Sequence, residues 1–238
     1  MLWWMLATLC AFFVKGLCGF ANTLVFTTIL SFGSSNLSIT PVELLLGFPT
    51  NLILAWKERK SIQWKICVPL IVLVLAGNIP GIFLLKNADS RGVKILFGLV
   101  IVGIGVELLL REYRPRQGKE SRAALLAIGI LSGILSGMYG IGAMLAAYVG
   151  RVTKASHSFK ANMCAVFIAE NLFRLPMYTM TGILTLASLR QAALLFPVML
   201  AGLFAGIGSG NLLDERVVRR VVIVMLIVSG MALVGAVW

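Results

Sequence analysis

The chain has 238 residues, 59% of them hydrophobic and 13% charged, with 21 Lys and Arg against 9 Asp and Glu and a formal charge of +12. Apolar runs follow one another from end to end, separated by short basic loops, which leaves no stretch for a separate soluble domain. Because the charge sits in those loops, it reads as membrane topology and not as nucleic-acid binding.

The apolar segments cover 2–32, 40–56, 66–85, 93–110, 122–149, 161–178, 188–210 and 217–238. As a single helix the first would be about 46 Å long, against a hydrocarbon core of about 30 Å. It is interrupted by Lys15-Gly16-Leu17-Cys18-Gly19. Its start, Met1-Leu2-Trp3-Trp4, lacks the basic region of a cleavable signal, so the segment is expected in the mature protein. An ammonium at membrane depth is costly, which makes Lys15 a functional candidate; snorkelling to an interface is the alternative. The second segment carries Asn51, and Glu43 at its start is expected at an interface, as is Glu107 at the end of the fourth. The third carries Gly77-x3-Gly81.

The fifth segment repeats the anomaly of the first. It would be about 42 Å long as one helix and is interrupted by Ser136-Gly137-Met138-Tyr139-Gly140-Ile141-Gly142. The stripe Gly129-x3-Gly133-x3-Gly137 suits close helix packing, as does Gly202-x3-Gly206-x3-Gly210 in the seventh. The loop between the fifth and sixth holds His157, the only histidine, which is read as having no functional role. On the sixth, Glu170 and Arg174 are spaced i, i+4 beside Asn171, a spacing that permits a structural ion pair or a substrate or proton site. The four cysteines form no CxxC pair or ligand spacing and read as apolar filler.

The order of these features suggests a duplication, with repeats at 1–120 and 121–238. Matching Asn51 with Asn171 aligns the second segments of the two halves. Gly77-x3-Gly81 then falls near Gly202-x3-Gly206, and Asp89-x-Arg91 and Gly105 fall on Asp214-x-Arg216 and Gly230 at the same offset as those glycines. Charge bears on the topology. If all eight segments cross, the Lys and Arg divide ten to nine between the two sides; if the two over-long segments are hairpins that enter and leave on one face, the division is fifteen to four. The expected fold is therefore an all-α polytopic membrane protein of two inverted repeats, each a broken re-entrant helical hairpin followed by three transmembrane helices, with both termini outside. The alternative is eight crossings with long, tilted first helices.

Non-helical backbone at membrane depth needs protein or a water-filled cavity to receive its polar groups, so the two breaks are expected to meet near the midplane. A break that starts a new helix aims N–H groups and a positive dipole end at its surroundings, which suits an anion. The candidate substrate-binding residues are thus Lys15, Gly16, Gly19, Phe20 and Asn51 in the first half and Ser136, Gly137, Gly140, Gly142 and Asn171 in the second. Glu170 and Arg174 are the candidates for coupling or ion pairing. The glycines have packing as their other reading, and the two asparagines have hydrogen bonding across helices. No HExxH, GxSxG or ATP-binding motif is present, so no catalytic residue, metal or cofactor is expected.

Phe13-Val14-Lys15-Gly16-Leu17-Cys18-Gly19-Phe20 resembles the opening motif of the TauE/SafE family of sulfite and sulfonate transporters. Gly133 to Gly142 resembles that family's second Gly-rich motif. The chain departs from the family's pattern at Ala21, where a further glycine is usual, at Thr27-Thr28, near a usual proline, and at Ala143-Met144-Leu145, where glycine and prolines are frequent. The resemblance implies a multi-pass carrier in a bacterial inner membrane that moves a small anion, such as sulfite or an organosulfonate, by alternating access. Its partners would be that anion and the lipid bilayer. A non-transporting membrane subunit is the alternative, and it would show packed breaks with no polar cavity.

Overall fold

The structure, a computed structural model, describes residues 1–30, 33–87, 122–140, 142–153 and 155–209, with scattered positions between 95 and 110 and between 220 and 235. The described residues form helices and no strands. In chain order these are α1 (Leu2–Cys18), α2 (Asn22–Leu30), α3 (Asn36–Lys57), a 3₁₀ turn (Arg59–Ser61), α4 (Trp64–Asn87), α5 (Arg122–Tyr139), α6 (Ala143–Val152), α7 (Ser156–Met180) and α8 (Leu186–Ser209). The expected segments 93–110 and 217–238 lie largely outside the described residues, as do the Asp-x-Arg matches and the loops at 111–121 and 216–219.

Among the described residues three helices are long and apolar enough to cross a bilayer: α3 over Leu37–Lys57, α4 over Trp64–Leu85 and α8 over Leu186–Ser209. Most of α4 and α8 is not covered by protein, and Val72, Phe83, Leu194 and Phe204 are exposed, as suits a lipid-facing surface. With 25 residues, α7 is long enough to cross but less apolar, because Asn162, Glu170, Asn171 and Arg174 are turned inward and buried. Trp56 and Trp64 are exposed at the adjoining ends of α3 and α4, and Arg59 stacks on Trp56 at 4.7 Å. An aromatic and basic belt of this kind marks an interface.

The over-long first segment folds back on itself. The Trp3 indole N–H donates to the Ile29 carbonyl at 3.0 Å, and the Trp4 ring meets Phe26 edge-on at 5.7 Å. α2 thus runs back along α1. Glycine then brings α1 against α8 at backbone distance. A Cβ on Gly206 would overlap the Phe13 carbonyl, one on Gly16 would overlap that of Leu203, and one on Gly202 would lie 2.7 Å from that of Leu9. The same device joins α5 to α4, where Gly133 lies against the Val74 carbonyl, Gly77 against Ile130 and Gly81 against Ile134.

The apolar packing follows these contacts. Phe12, Val25, Phe26 and Val42 share one cluster with Leu195, Met199 and Leu203 of α8. Cys67, Leu70 and Val74 of α4 share another with Leu145, Val149, Met163 and Val166. Each broken segment is therefore seated against its own following helix and against a helix from the other half of the chain, α8 for the first and α4 for the second.

Candidate functional site

Both breaks use one backbone device, a helix ended by a residue in the left-handed region. α1 stops at Cys18, and Gly19 at φ 82° returns its N–H to the Lys15 carbonyl at 2.7 Å. α5 stops at Tyr139, and Gly140 at φ 72° returns its N–H to Ser136 at 2.7 Å. The breaks therefore fall a few residues later than expected. Lys15 and Gly16 belong to the last turn of α1, and Ser136 and Gly137 to the last turn of α5. Ala21 also has positive φ, 71°, although it is not glycine. An L-residue adopts that conformation at a cost of roughly 1–2 kcal/mol, which explains why a glycine would suit the position.

α2 starts at Asn22 and α6 at Ala143, beside the two breaks, and a cavity lies where the breaks meet. Its wall comprises Lys15 of α1, Phe20 and Ala21 of the first break, Asn22, Thr23 and Leu24 of α2, Glu43 and Asn51 of α3, Gly140 and Gly142 of the second break, and Phe167, Glu170, Asn171 and Arg174 of α7. The room for the centre of a water-sized sphere is about 20 Å³, enough for about one water.

Four ionisable side chains line this small space, and all are at least 95% buried. The Lys15 ammonium donates to the Gly47 carbonyl at 3.3 Å and lies 5.8 Å from the centre of the Phe12 ring. Its position in the last turn of α1 also sets it near the negative end of that helix dipole. Glu43 Oε1 accepts from Asn22 Nδ2 at 2.6 Å and from Thr23 Oγ1 at 2.7 Å. Glu170 Oε1 accepts from the Ser136 hydroxyl and from Arg174 Nη1 at 3.3 Å. Arg174 Nη2 donates to the Tyr178 hydroxyl at 2.8 Å, and that hydroxyl donates to the Gly137 carbonyl at 2.8 Å. Three buried polar atoms of these cavity residues have no partner: Asn51 Oδ1, Glu170 Oε2 and Arg174 Nε. Buried polar atoms are rarely left unpaired, so these three mark the place where a polar ligand gains most.

The cavity gathers Lys15, Phe20, Asn51, Gly140, Gly142, Glu170, Asn171 and Arg174 from among the candidate residues. It does not include four others. Gly16 serves the contact with α8, Gly19 packs on the Lys160 side chain, Gly137 packs on Asn78, and Ser136 reaches the cavity only through Glu170. Glu43, expected at an interface, is buried because α3 begins at Asn36 and carries it almost two turns inward. Sequence reasoning also passed over Asn22, Thr23, Phe167 and Tyr178. Helical spacing would have found several of them: Glu43, Gly47 and Asn51 share one face of α3, and Phe167, Glu170, Asn171, Arg174 and Tyr178 share one face of α7.

A second, more open cavity of about 360 Å³ lies between the start of α3 and the α7–α8 connection, lined by residues such as Ser38, Pro41, Thr181 and Gln191 with no charged side chain. His157 is exposed and pairs with Glu58 at 2.9 Å, away from both cavities. Among the described residues no three His, Cys, Asp or Glu side chains converge as a metal site would require.

The family model described as Sulfite exporter TauE/SafE matches residues 4–233, nearly the whole chain. No curated protein and no solved structure matches it.

Proposed function

We propose, starting from the fact that the chain belongs to the sulfite exporter TauE/SafE family, that it is a secondary carrier whose anion binds in the cavity between the two breaks. The family and the apolar helices make it an integral membrane protein of a transporter family. The observation that carries the assignment of the site is the set of partnerless polar atoms beside two buried cations, Lys15 and Arg174. Arg174 Nε offers a donor, Lys15 an ammonium, and the Asn51 amide can turn its NH₂ toward a negative ligand. The first turn of α2 lines the same cavity, so its positive dipole end adds to them. A sulfite or sulfonate group, with three oxygens as acceptors, suits this donor set, and it would enter as the cavity widens beyond its room for one water.

The glycine contacts support a reading as two inverted repeats, 1–120 and 121–238, each with a re-entrant hairpin. α1 rests on α8 as α5 rests on α4, and each hairpin packs with the helix that follows it. Rocking one half against the other would open the cavity to alternate sides of a bacterial inner membrane. A polar cavity also favours a carrier over a packed, non-transporting subunit.

The test is counterflow in proteoliposomes. Vesicles loaded with unlabelled sulfite or methanesulfonate should accumulate the labelled anion transiently, and protein-free vesicles should not. Equal entry in both would refute the carrier reading.

A further inference from the structure

The charge arithmetic of the cavity raises a problem for any anion carrier. Lys15 from α1 and Arg174 from α7 face Glu43 from α3 and Glu170 from α7 across the same space. Among the described residues the other elements of the wall add only neutral groups, Asn22 and Thr23 from α2, while Ser136 from α5 and Tyr178 from α7 contact the charged ones. With all four ionised the site is neutral. A monoanion entering it would leave one uncompensated negative charge in a cavity walled by protein and holding almost no water, an arrangement that buried sites avoid.

We propose that the anion is bound and carried together with one proton, and that the proton sits on Glu170. This deepens the carrier reading and rests on it. The two carboxylates differ in their surroundings. Glu43 Oε1 accepts two short hydrogen bonds, at 2.6 and 2.7 Å, from Asn22 and Thr23. Glu170 has Oε2 without any partner, and its countercharge is one long contact of 3.3 Å to Arg174. Arg174 in turn has Nε without a partner and its Nη2 on Tyr178. An anion that takes the guanidinium competes with Glu170 for it. As the anion binds, the carboxylate gives up its share of Arg174 and takes a proton from solvent onto Oε2, so the site returns to neutrality. Release of the anion returns Arg174 to Glu170, and the proton leaves.

Linkage makes this reciprocal: if binding the anion draws in a proton, protons tighten the anion. In the range where free Glu170 is ionised and bound Glu170 is protonated, affinity should fall about tenfold for each unit rise in pH. The probe is methanesulfonate, whose own charge is fixed over that range. Added to detergent-purified protein in weak buffer with a pH indicator, it should draw close to one proton per bound anion, while sodium chloride at equal ionic strength draws none. Glu170→Gln should lose both the proton uptake and the pH dependence of affinity.

Methanesulfonate binding to the wild type with no proton uptake and a flat pH profile overturns the proposal, whether or not the variant folds. Uptake that persists in Glu170→Gln and is lost in Glu43→Gln also overturns it, by moving the proton to the other carboxylate. If neither sulfite nor methanesulfonate binds or exchanges, the carrier reading fails and takes this inference with it.

Discussion

Replacing Arg174 by Met removes the one guanidinium in the cavity and exposes what the ion pair contributes to stability. Arg174 is 1% exposed, with Glu170 Oε1 at 3.3 Å, the Tyr178 hydroxyl at 2.8 Å and the Tyr178 ring centre at 4.9 Å. Met keeps much of the stem and its packing, so the main change is a buried carboxylate left with the Ser136 hydroxyl alone. Breaking a buried pair in this way costs about 3–5 kcal/mol. Glu170 can limit the loss by binding a proton. From an ordinary carboxylate value of about 4.3, neutralising it at pH 7 costs about 3.7 kcal/mol, and that figure is the ceiling on the electrostatic part.

The ceiling moves with pH. From pH ~4.3 up to the pH at which the buried carboxyl itself ionises, the folded variant holds one proton more than its unfolded chain, so its stability rises as pH falls, by about 1.4 kcal/mol per unit. Between pH 7 and pH 5 Arg174→Met should therefore recover about 2.7 kcal/mol relative to wild type. The double variant Arg174→Met, Glu170→Gln has no carboxylate to titrate there and should be milder at pH 7, with no such slope. Denaturant unfolding in detergent at pH 5, 6 and 7 measures all three proteins. A pH-independent deficit in the single variant, or losses that simply add in the double one, would refute the argument.

Lys15→Met should raise the anion concentration for half-maximal counterflow at least tenfold; an unchanged half-saturation point would remove Lys15 from the site. Gly140→Ala should cost at least 2 kcal/mol and most transport, since φ is 72° and the new Cβ would lie 2.8 Å from Glu43 Oε2. Ala21→Gly should by contrast be neutral or stabilise by up to about 1 kcal/mol, as relief of the left-handed conformation offsets the added freedom of the unfolded chain; thermal unfolding in detergent compares the two. Single cysteines at 57–65 and 151–160 should label from the cytoplasmic side and cysteines at 181–185 from outside, and external labelling of 151–160 would restore eight crossings.

Much of this organisation was legible because it rests on residue types with few uses. A lysine and a cluster of glycines inside an apolar run announced the first break, and the equivalent glycines announced the second. Their register was harder to read. Gly16 looks like part of the interruption, yet it serves a contact with α8, and nothing local to residues 13–20 reveals a partner so distant in sequence. Glu43 was misplaced for a related reason. Apolarity begins near Thr40, but the helix extends four residues further toward the N-terminus through polar Asn36 and Ser38, which moves the carboxylate from the edge of the segment into its body. Ala21 is the converse case: alanine carries no signal of a left-handed turn, and only the backbone shows it.

The glycine seam between α1 and α8 also constrains how the protein is made. Gly16 meets Gly206, which leaves the ribosome about 190 residues later, a delay of roughly 10–40 s at ordinary synthesis rates. For that interval the face of α1 that meets α8 is uncovered, while α4 waits in the same way for α5. Biogenesis therefore cannot finish one half and then the other. A gene cut near codon 120 would encode two pieces, each lacking the surface its hairpin rests on and each supplying what the other lacks, so co-expression of the two should rebuild what neither makes alone.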